Sequence, residues 1–556
     1  MSHCGRRLLR PNAPCIITSS MECHCLRFDE IPQTTKLFAA FLNDFERVKE
    51  FYAHTPDEAG VRAAAKEVRL DAGIRRGVVQ VLREQNRALG STKETDANLD
   101  RLANGAVAIV TGQQVGLFSG PAYSLYKALD TIGWAKRLTR AGVDAVPIFW
   151  MATEDHDLAE VNQANFGGRE GVARIELPLP EDVAGASVGR IALGAMAGAA
   201  VAHAAELLEG PGAKEMTEAL AASYGSGETF GSAFGKLFAR LLKGRGLILL
   251  DPLDRRLHEL ARPIYRKAAE DSEKLAGELI ARSKLLDKRG YHAQVKVTQQ
   301  GTLLFLDVNG KRQAVRRRNG DFVVADAKLS AEQLLEKIEK QPEALTASVL
   351  LRPVLQDSIL PTAAYIGGPA EVAYMAQAQV IYERVLGRMP AILPRASFTL
   401  IEPEVERTLR KYGLDFREIL RGRQSLRQKM ATQYIPRGLA ARFARDEKLL
   451  RRVLEGYRKP LGKLDKTLAG ALDTAERKML YQFTKLRGKT GNAENLRTGV
   501  LDRHERQIMS ALYPHRGLQE RSLCLLPFIA RQGTELLDHL SAEMEKPSAG
   551  HKVMVL

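Results

Sequence analysis

Three stretches of this 556-residue chain place polar and ionisable residues where an apolar run ends. In AIVTGQQVGLFSGPAYSLYKAL (108–129), a β-like run opens into a loop holding Gln113, Gln114, Gly116, Ser119 and Gly120, with Tyr123 and Lys127 on the first turns of the helix behind it. A Gly-rich turn at a helix N-terminus lets backbone N–H groups approach an anion, while the glutamines offer donors and acceptors and Lys127 a positive charge. The second stretch, Glu154-Asp155-His156-Asp157, follows the apolar run VPIFWMA. Three carboxylates beside one imidazole could bind an ammonium group, chelate Mg²⁺, or hold His156 as a general base whose tautomer a carboxylate fixes. In the third, LRPVLQDSILPTAAYIGGPAEVAYMAQ (351–377), Arg352, Gln356 and Asp357 precede a run ending in Gly367-Gly368-Pro369, and Glu371 and Tyr374 lie about one turn into the next helix. Arg395 follows one further apolar run, and arginine grips carboxylates or phosphate through paired hydrogen bonds.

No covalent nucleophile stands out. Cys524 sits in the apolar context SLCLLPF, and Ser119 lacks the G-x-S-x-G setting of a hydrolase elbow. The first loop is not a Walker A loop, and the nearest match to that motif, GSAFGKL (231–237), fails in spacing and final residue. Chemistry by positioning and electrostatics fits these residues better than covalent catalysis.

The elements that must position them are short buried strands. AVAIV (106–110), VPIFWMA (146–152), LILL (247–250), AAYIGG (363–368) and AILP (391–394) are apolar and end in turn or polar residues. A helix whose apolar positions Leu125, Leu129, Ile132 and Leu138 keep helical spacing joins the first two, giving a βαβ unit and a parallel sheet. Pro121 suits the first helical position, with Ser119 or Gly120 as cap. In an open α/β sheet, ligands bind beyond the carboxyl ends of the strands, where all three polar stretches fall. Residues 293–324 alternate strands with Asn-Gly turns at 309–310 and 319–320, an antiparallel meander inserted in the core near 290–340. From about 404 to 556 the chain reads as nearly all helix, and Tyr457, Leu461, Leu464, Leu468, Leu472 and Ala475 repeat as a coiled coil, with Pro460 marking a kink or a restart.

The formal charge is +16, and residues 401–556 hold 31 Lys and Arg against 19 Asp and Glu, so +12 of it lies in the helical tail. A basic tail invites an anionic partner such as nucleic acid; the alternative is a solvated Arg-rich helical face. The five cysteines, Cys4, Cys15, Cys23, Cys25 and Cys524, are an odd count with no apolar signal segment before them, which points to a reducing cytoplasm. Cys23-His24-Cys25 has no second paired motif, so it reads as an unstructured N-terminal extension and not as a metal site; residues 1–20 are assigned to that extension, and Met21 is an alternative start. The longest apolar run, IALGAMAGAAVA (191–202), is far short of a membrane span.

TGQQVGLFSGPAYSLYKA, PIFWMATEDHDLAEVN and LRPVLQDSILPTAAYIGGPAEVAYMAQ with MPAILPRAS occur in that order. Through these motifs the chain resembles the bacillithiol biosynthesis cysteine-adding enzyme family, the cysteine ligases of a low-molecular-weight thiol pathway. The similarity runs from about Met21 to the C-terminus, the extra N-terminus and the basic tail being departures. The resemblance implies an α/β fold with a Rossmann-like core over 21–403, related to class I aminoacyl-tRNA synthetases, a connective insertion, and a coiled-coil region that forms a homodimer. It implies joining of the cysteine carboxyl to the amine of glucosaminyl-malate, after activation for which ATP, with Mg²⁺ as a candidate ion, is the obvious donor in this fold. No H-I-G-H or K-M-S-K-S signature accompanies it.

On that reading Gln113, Gln114, Ser119, Gly120, Tyr123 and Lys127 line the pocket for cysteine or the activating group. Asp155, His156 and Asp157 hold the attacking amine, His156 taking its proton, and Arg352 and Arg395 grip the malate carboxylates. RNA or tRNA binding by the basic helices is the main competing reading. It ranks below the ligase because it leaves the polar residues at successive strand ends without a purpose.

Overall fold

The computed structural model describes residues 23–168, 171–179, 183–431, 435, 437–465, 467–495, 499–546 and 550–556. Its centre is a five-stranded parallel sheet of β1 (Val107–Gln113), β2 (Ala145–Met151), β3 (Ile248–Leu250), β4 (Thr362–Gly367) and β5 (Ala391–Pro394). The spatial order is β5-β4-β1-β2-β3. These are the five apolar runs of the sequence; helices cover both faces of a parallel sheet, so both faces of each strand are apolar.

The chain starts in the middle of the sheet, works outward to β3, then returns to the other side of β1 to lay down β4 and β5. Between β1 and β4 the connections therefore diverge, which opens a crevice at their carboxyl ends. Three helices face it: α1 (Tyr123–Arg140) after β1, α2 (Arg352–Ile359) before β4, and α3 (Pro369–Val385) after β4. Helix α1 begins at Tyr123, beyond Pro121, and has no side-chain cap, because Ser119 is turned elsewhere.

The meander is an antiparallel sheet of Gly301–Val308, Lys311–Arg318, Asp321–Val324 and Ala327–Leu329, with Leu345–Ala347 added along the free edge of its first strand. Asn309, Gly310, Asn319 and Gly320 all have positive φ, as two-residue hairpin turns require. A third, three-stranded sheet corrects two expectations. Cys23–Leu26 is a strand, not an unstructured extension, and it pairs with His551–Val555, among the described residues the one strand in the otherwise helical region after 404; Phe398–Ile401 pairs with the other side of that strand. Residues 1–20 lie outside the described residues.

Helices α4 (Arg437–Leu464) and α5 (Thr467–Asn495) form a hairpin. The pairs Arg458–Asp473 and Arg451–Glu476 and the ring contact Phe443–Phe483 show that they run antiparallel. The repeat read from Tyr457 to Ala475 therefore spans the turn between two helices, and Pro460 lies inside α4 without ending it. No helix among the described residues is long and apolar enough to cross a membrane.

Candidate functional site

A cleft of about 450 Å³ opens at the carboxyl ends of β1, β2 and β4, where the strand order reverses. Its lining comes from Gly112, Gln113 and Gln114 at the end of β1, Trp150 on β2 and Glu154 and Asp155 beyond it, Arg352 on α2, and Gly368, Glu371 and Tyr374 around the start of α3. A Cβ on Gly112 would lie 3.1 Å from the Trp150 carbonyl oxygen, so glycine lets the indole and Arg352 close in on the strand end.

Lys127 forms the floor. Its fully buried ammonium donates to the Gly112 carbonyl (2.8 Å) and Gln113 Oε1 (3.0 Å) and pairs with Glu371. Glu371 also accepts from the Tyr365 hydroxyl and the Gly368 N–H, both at 2.7 Å. Burial pushes the Glu371 carboxyl up, but Lys127 and these donors outweigh it and hold the group below its ordinary value. Gln113 donates on to the Tyr123 hydroxyl at 3.2 Å, and the Tyr123 ring lies 5.2 Å from the Arg395 guanidinium.

The two arginines read from the third stretch do different work. Arg395 is committed: it donates to Glu520 Oε1 (2.6 Å) and to the Ala396 carbonyl (2.9 Å), and buried Glu520 also accepts from Ser397 Oγ and the Phe398 N–H. Arg352 donates through Nη2 to the Tyr374 hydroxyl at 3.0 Å, while its buried Nη1 has no hydrogen-bond partner. The Trp150 indole N–H, also at the cleft, is likewise buried without one. Unmet buried donors in a polar cleft call for an acceptor-rich or anionic ligand.

The acidic turn splits in two directions. Glu154 faces inward at 9 % exposure, its Oε1 3.5 Å from Nε2 of buried His258, whose Nδ1 lies 3.0 Å from the Tyr265 hydroxyl. Burial raises the Glu154 carboxyl to about 7 and lowers the His258 imidazole to about 4. Asp155 turns to the rim and accepts from Gln114 Nε2 at 2.8 Å. His156 and Asp157 are exposed and do not line the cleft. His156 Nδ1 lies 3.3 Å from Arg312 Nη1. Because these side chains diverge, they form no metal-holding cluster, and none of three or more His, Cys, Asp or Glu occurs among the described residues.

Several residues named from the sequence lie away from the cleft. Gly116, Ser119 and Gly120 build a packing turn: Phe118 and Ser119 have positive φ, Ser119 Oγ faces Cys524 Sγ at 3.8 Å, and a Cβ on Gly116 would meet the Gly120 Cα at 2.9 Å. Gln356 and Asp357 are buried deeper along α2, where Gln356 and Tyr382 both donate to the Asp357 carboxylate. Gly367 ends β4, its carbonyl accepting from the Arg395 N–H.

Other lining residues escaped sequence reading. Arg312, on the second strand of the antiparallel sheet, reaches over the cleft with Nε on Thr346 Oγ1 (2.8 Å), Nη2 on the Ala347 carbonyl (2.7 Å) and its guanidinium 3.9 Å above the Phe305 ring. Glu160 and Arg521 stand at the mouth. Arg312 is one of four arginines in KRQAVRRR, and nothing in the run singles it out. Glu154 carried a usable signal, as the first carboxylate beyond a fully buried strand.

Two family models divide the chain. Residues 21–396 match "Bacillithiol biosynthesis BshC, N-terminal Rossmann-like domain", and residues 398–556 match "Bacillithiol biosynthesis BshC, C-terminal coiled-coil domain". A relative from Koribacter versatilis named "Putative cysteine ligase BshC" is 41 % identical over 516 residues, covering 93 % of this chain and 96 % of its own length. Relatives of the same name from Solibacter usitatus and Salinibacter ruber are 36 % and 30 % identical, covering 96 % and 93 % of this chain and 100 % and 96 % of theirs.

Proposed function

The chain belongs to the bacillithiol biosynthesis BshC family, and from that premise we propose that it is a cysteine ligase that joins the carboxyl group of L-cysteine to the amine of glucosaminyl-malate. The observation that carries the substrate assignment is Arg352, a buried guanidinium at the cleft with one donor face unmet. A malate carboxylate meets that face, and Arg521 at the mouth adds a second positive charge. Arg395, already paired with Glu520, serves as a fixed wall and stacks near Tyr123.

Amide formation from a free carboxylate is uphill in water, so the reaction would need the cysteine carboxyl activated, as a mixed anhydride would provide. ATP would supply the activating group when bound. Among the described residues the side chains of the acidic turn do not converge on one metal position. The protein's own part is to exclude water from the anhydride, hold the amine near the carbonyl and take up its proton.

The hairpin of α4 and α5 presents Leu449, Val453 and Tyr457 and, on α5, Met479, Tyr481 and Leu486 to solvent, each at least 45 % exposed. We propose that a second copy of the chain covers this face.

The test is complementation. The chain is expressed in a bacillithiol-producing host that lacks its own cysteine-adding enzyme, and thiols are measured by mass spectrometry. Bacillithiol returns and glucosaminyl-malate falls if the reading is right; persistent glucosaminyl-malate beside soluble protein overturns it.

A further inference from the structure

The proposed ligation needs a group that accepts the proton of the attacking amine, and the first carboxylate of the acidic stretch after β2 lies in the cleft to do so. Glu154 lines the cleft directly after β2, with most of its side chain buried. Behind it, on the helix Arg255–Glu270, stands His258, buried, with its Nε2 3.5 Å from Glu154 Oε1 and without a hydrogen-bond partner. His258 is in turn seated on the buried Tyr265 hydroxyl, two turns further along the same helix. A carboxylate, an imidazole and a phenol thus run in line from the cleft into the core.

His156 is poorly arranged for this task. Its Nδ1 is taken up between Arg312 Nη1 (3.3 Å) and Asp155 Oδ1 (3.5 Å), and the exposed ring stands outside the cleft lining.

We infer that Glu154 is the catalytic base of the ligation and that His258, braced by Tyr265, is its positioning residue. The inference rests on the ligase reading. In the step, the glucosaminyl amine attacks the carbonyl carbon of cysteine held as a mixed anhydride. The C–N bond forms, the C–O bond to the phosphate leaves with its electron pair, and the N–H proton passes to the Glu154 carboxylate.

The surroundings suit a base that works near neutrality. Arg312 from the antiparallel sheet, Arg352 from α2 and Arg190 favour the carboxylate; Asp251 beyond β3 opposes it; burial outweighs them all and sets the group at about 7. Burial also keeps His258 neutral at that pH, so it steadies the carboxylate without competing for the proton.

The experiment compares wild type, Glu154→Gln, Glu154→Asp and His258→Phe in the complementation host, with thermal melting of each purified protein at pH 5 and pH 8. Glu154→Gln is expected to lower bacillithiol formation at least ~100-fold, the usual scale for losing a general base, with Glu154→Asp recovering part. Folded Glu154→Gln is also expected to melt above wild type at pH 8 and by much less at pH 5, because the cost of the native carboxyl builds up between its ordinary value of 4.5 and its folded value of about 7. In the His258→Phe background the gap between Glu154→Gln and its parent is expected to keep widening to a more alkaline pH and to end larger, since the group facing the carboxylate is gone; a plain packing defect would move neither. Wild-type bacillithiol from Glu154→Gln, or a melting difference independent of pH, overturns the assignment while leaving the ligase standing. Failure of wild type itself to restore bacillithiol overturns both.

Discussion

Lys127 and Glu371 meet as a buried ion pair that ties the helix after β1 to the helix after β4, across the point where the strand order turns back. Each partner is further tied to the backbone, Lys127 to the Gly112 carbonyl and Glu371 to the Gly368 N–H, so the pair fixes two strand ends as well as two helices. Removing one partner strands the other charge. Lys127→Met is expected to cost about 3–5 kcal/mol in urea unfolding, and Lys127→Met with Glu371→Leu to cost much less.

The proposed function gives Arg352, with its unmet Nη1, the recognition of the anionic substrate. Arg352→Met is expected to weaken glucosaminyl-malate binding by about 10- to 100-fold in isothermal titration calorimetry, the range for losing a hydrogen bond to a charged group. Arg352→Lys is expected to restore little, because an ammonium cannot reach Tyr374 and a carboxylate with the same planar fork.

His551 predicts how the fold fails in acid. Its ring is buried between Ser397 Oγ (2.7 Å) and Thr399 Oγ1 (2.8 Å), and burial lowers it from 6.5 to about 4. The unfolded imidazole takes a proton that the folded one refuses, so the stability this site contributes is complete above about pH 6.5 and is lost as pH falls toward 4. The loss is on the order of 3 kcal/mol, with His258 adding a similar slope. Melting temperatures measured between pH 7 and pH 4.5 are expected to fall less steeply in His551→Gln.

The apolar face of the helical hairpin predicts assembly. If the proposed dimer forms through this face, Leu449→Glu together with Tyr457→Glu is expected to leave a monomer in sedimentation velocity, without unfolding, because both side chains are more than half exposed in the single chain.

The sheet was legible because each of its strands is an apolar run stopped by polar residues, the pattern forced by burial on both faces. The same logic located Gln113, Gln114, Arg352, Glu371 and Arg395, all just beyond or beside strand ends. It overreached where position along an element matters. Gln356 lies one helical turn past Arg352, and that turn, about 5 Å, carries it from the cleft into the core. Gly116 and Gly120 looked like an anion cradle, yet their freedom serves a turn packed against Cys524. Arg312 and Arg521 were illegible for another reason: they reach the cleft from a separate sheet and from the distant C-terminal region, and no local pattern encodes such a meeting.

Glu520 belongs to the segment 398–556 and Arg395 to 21–396, so the junction between the two matched regions passes through the wall of the cleft. A chimaera spliced there from two relatives would take the arginine from one parent and its counter-charge from the other. The two regions are therefore not interchangeable modules: their sequences are bound to be inherited, and to drift, together.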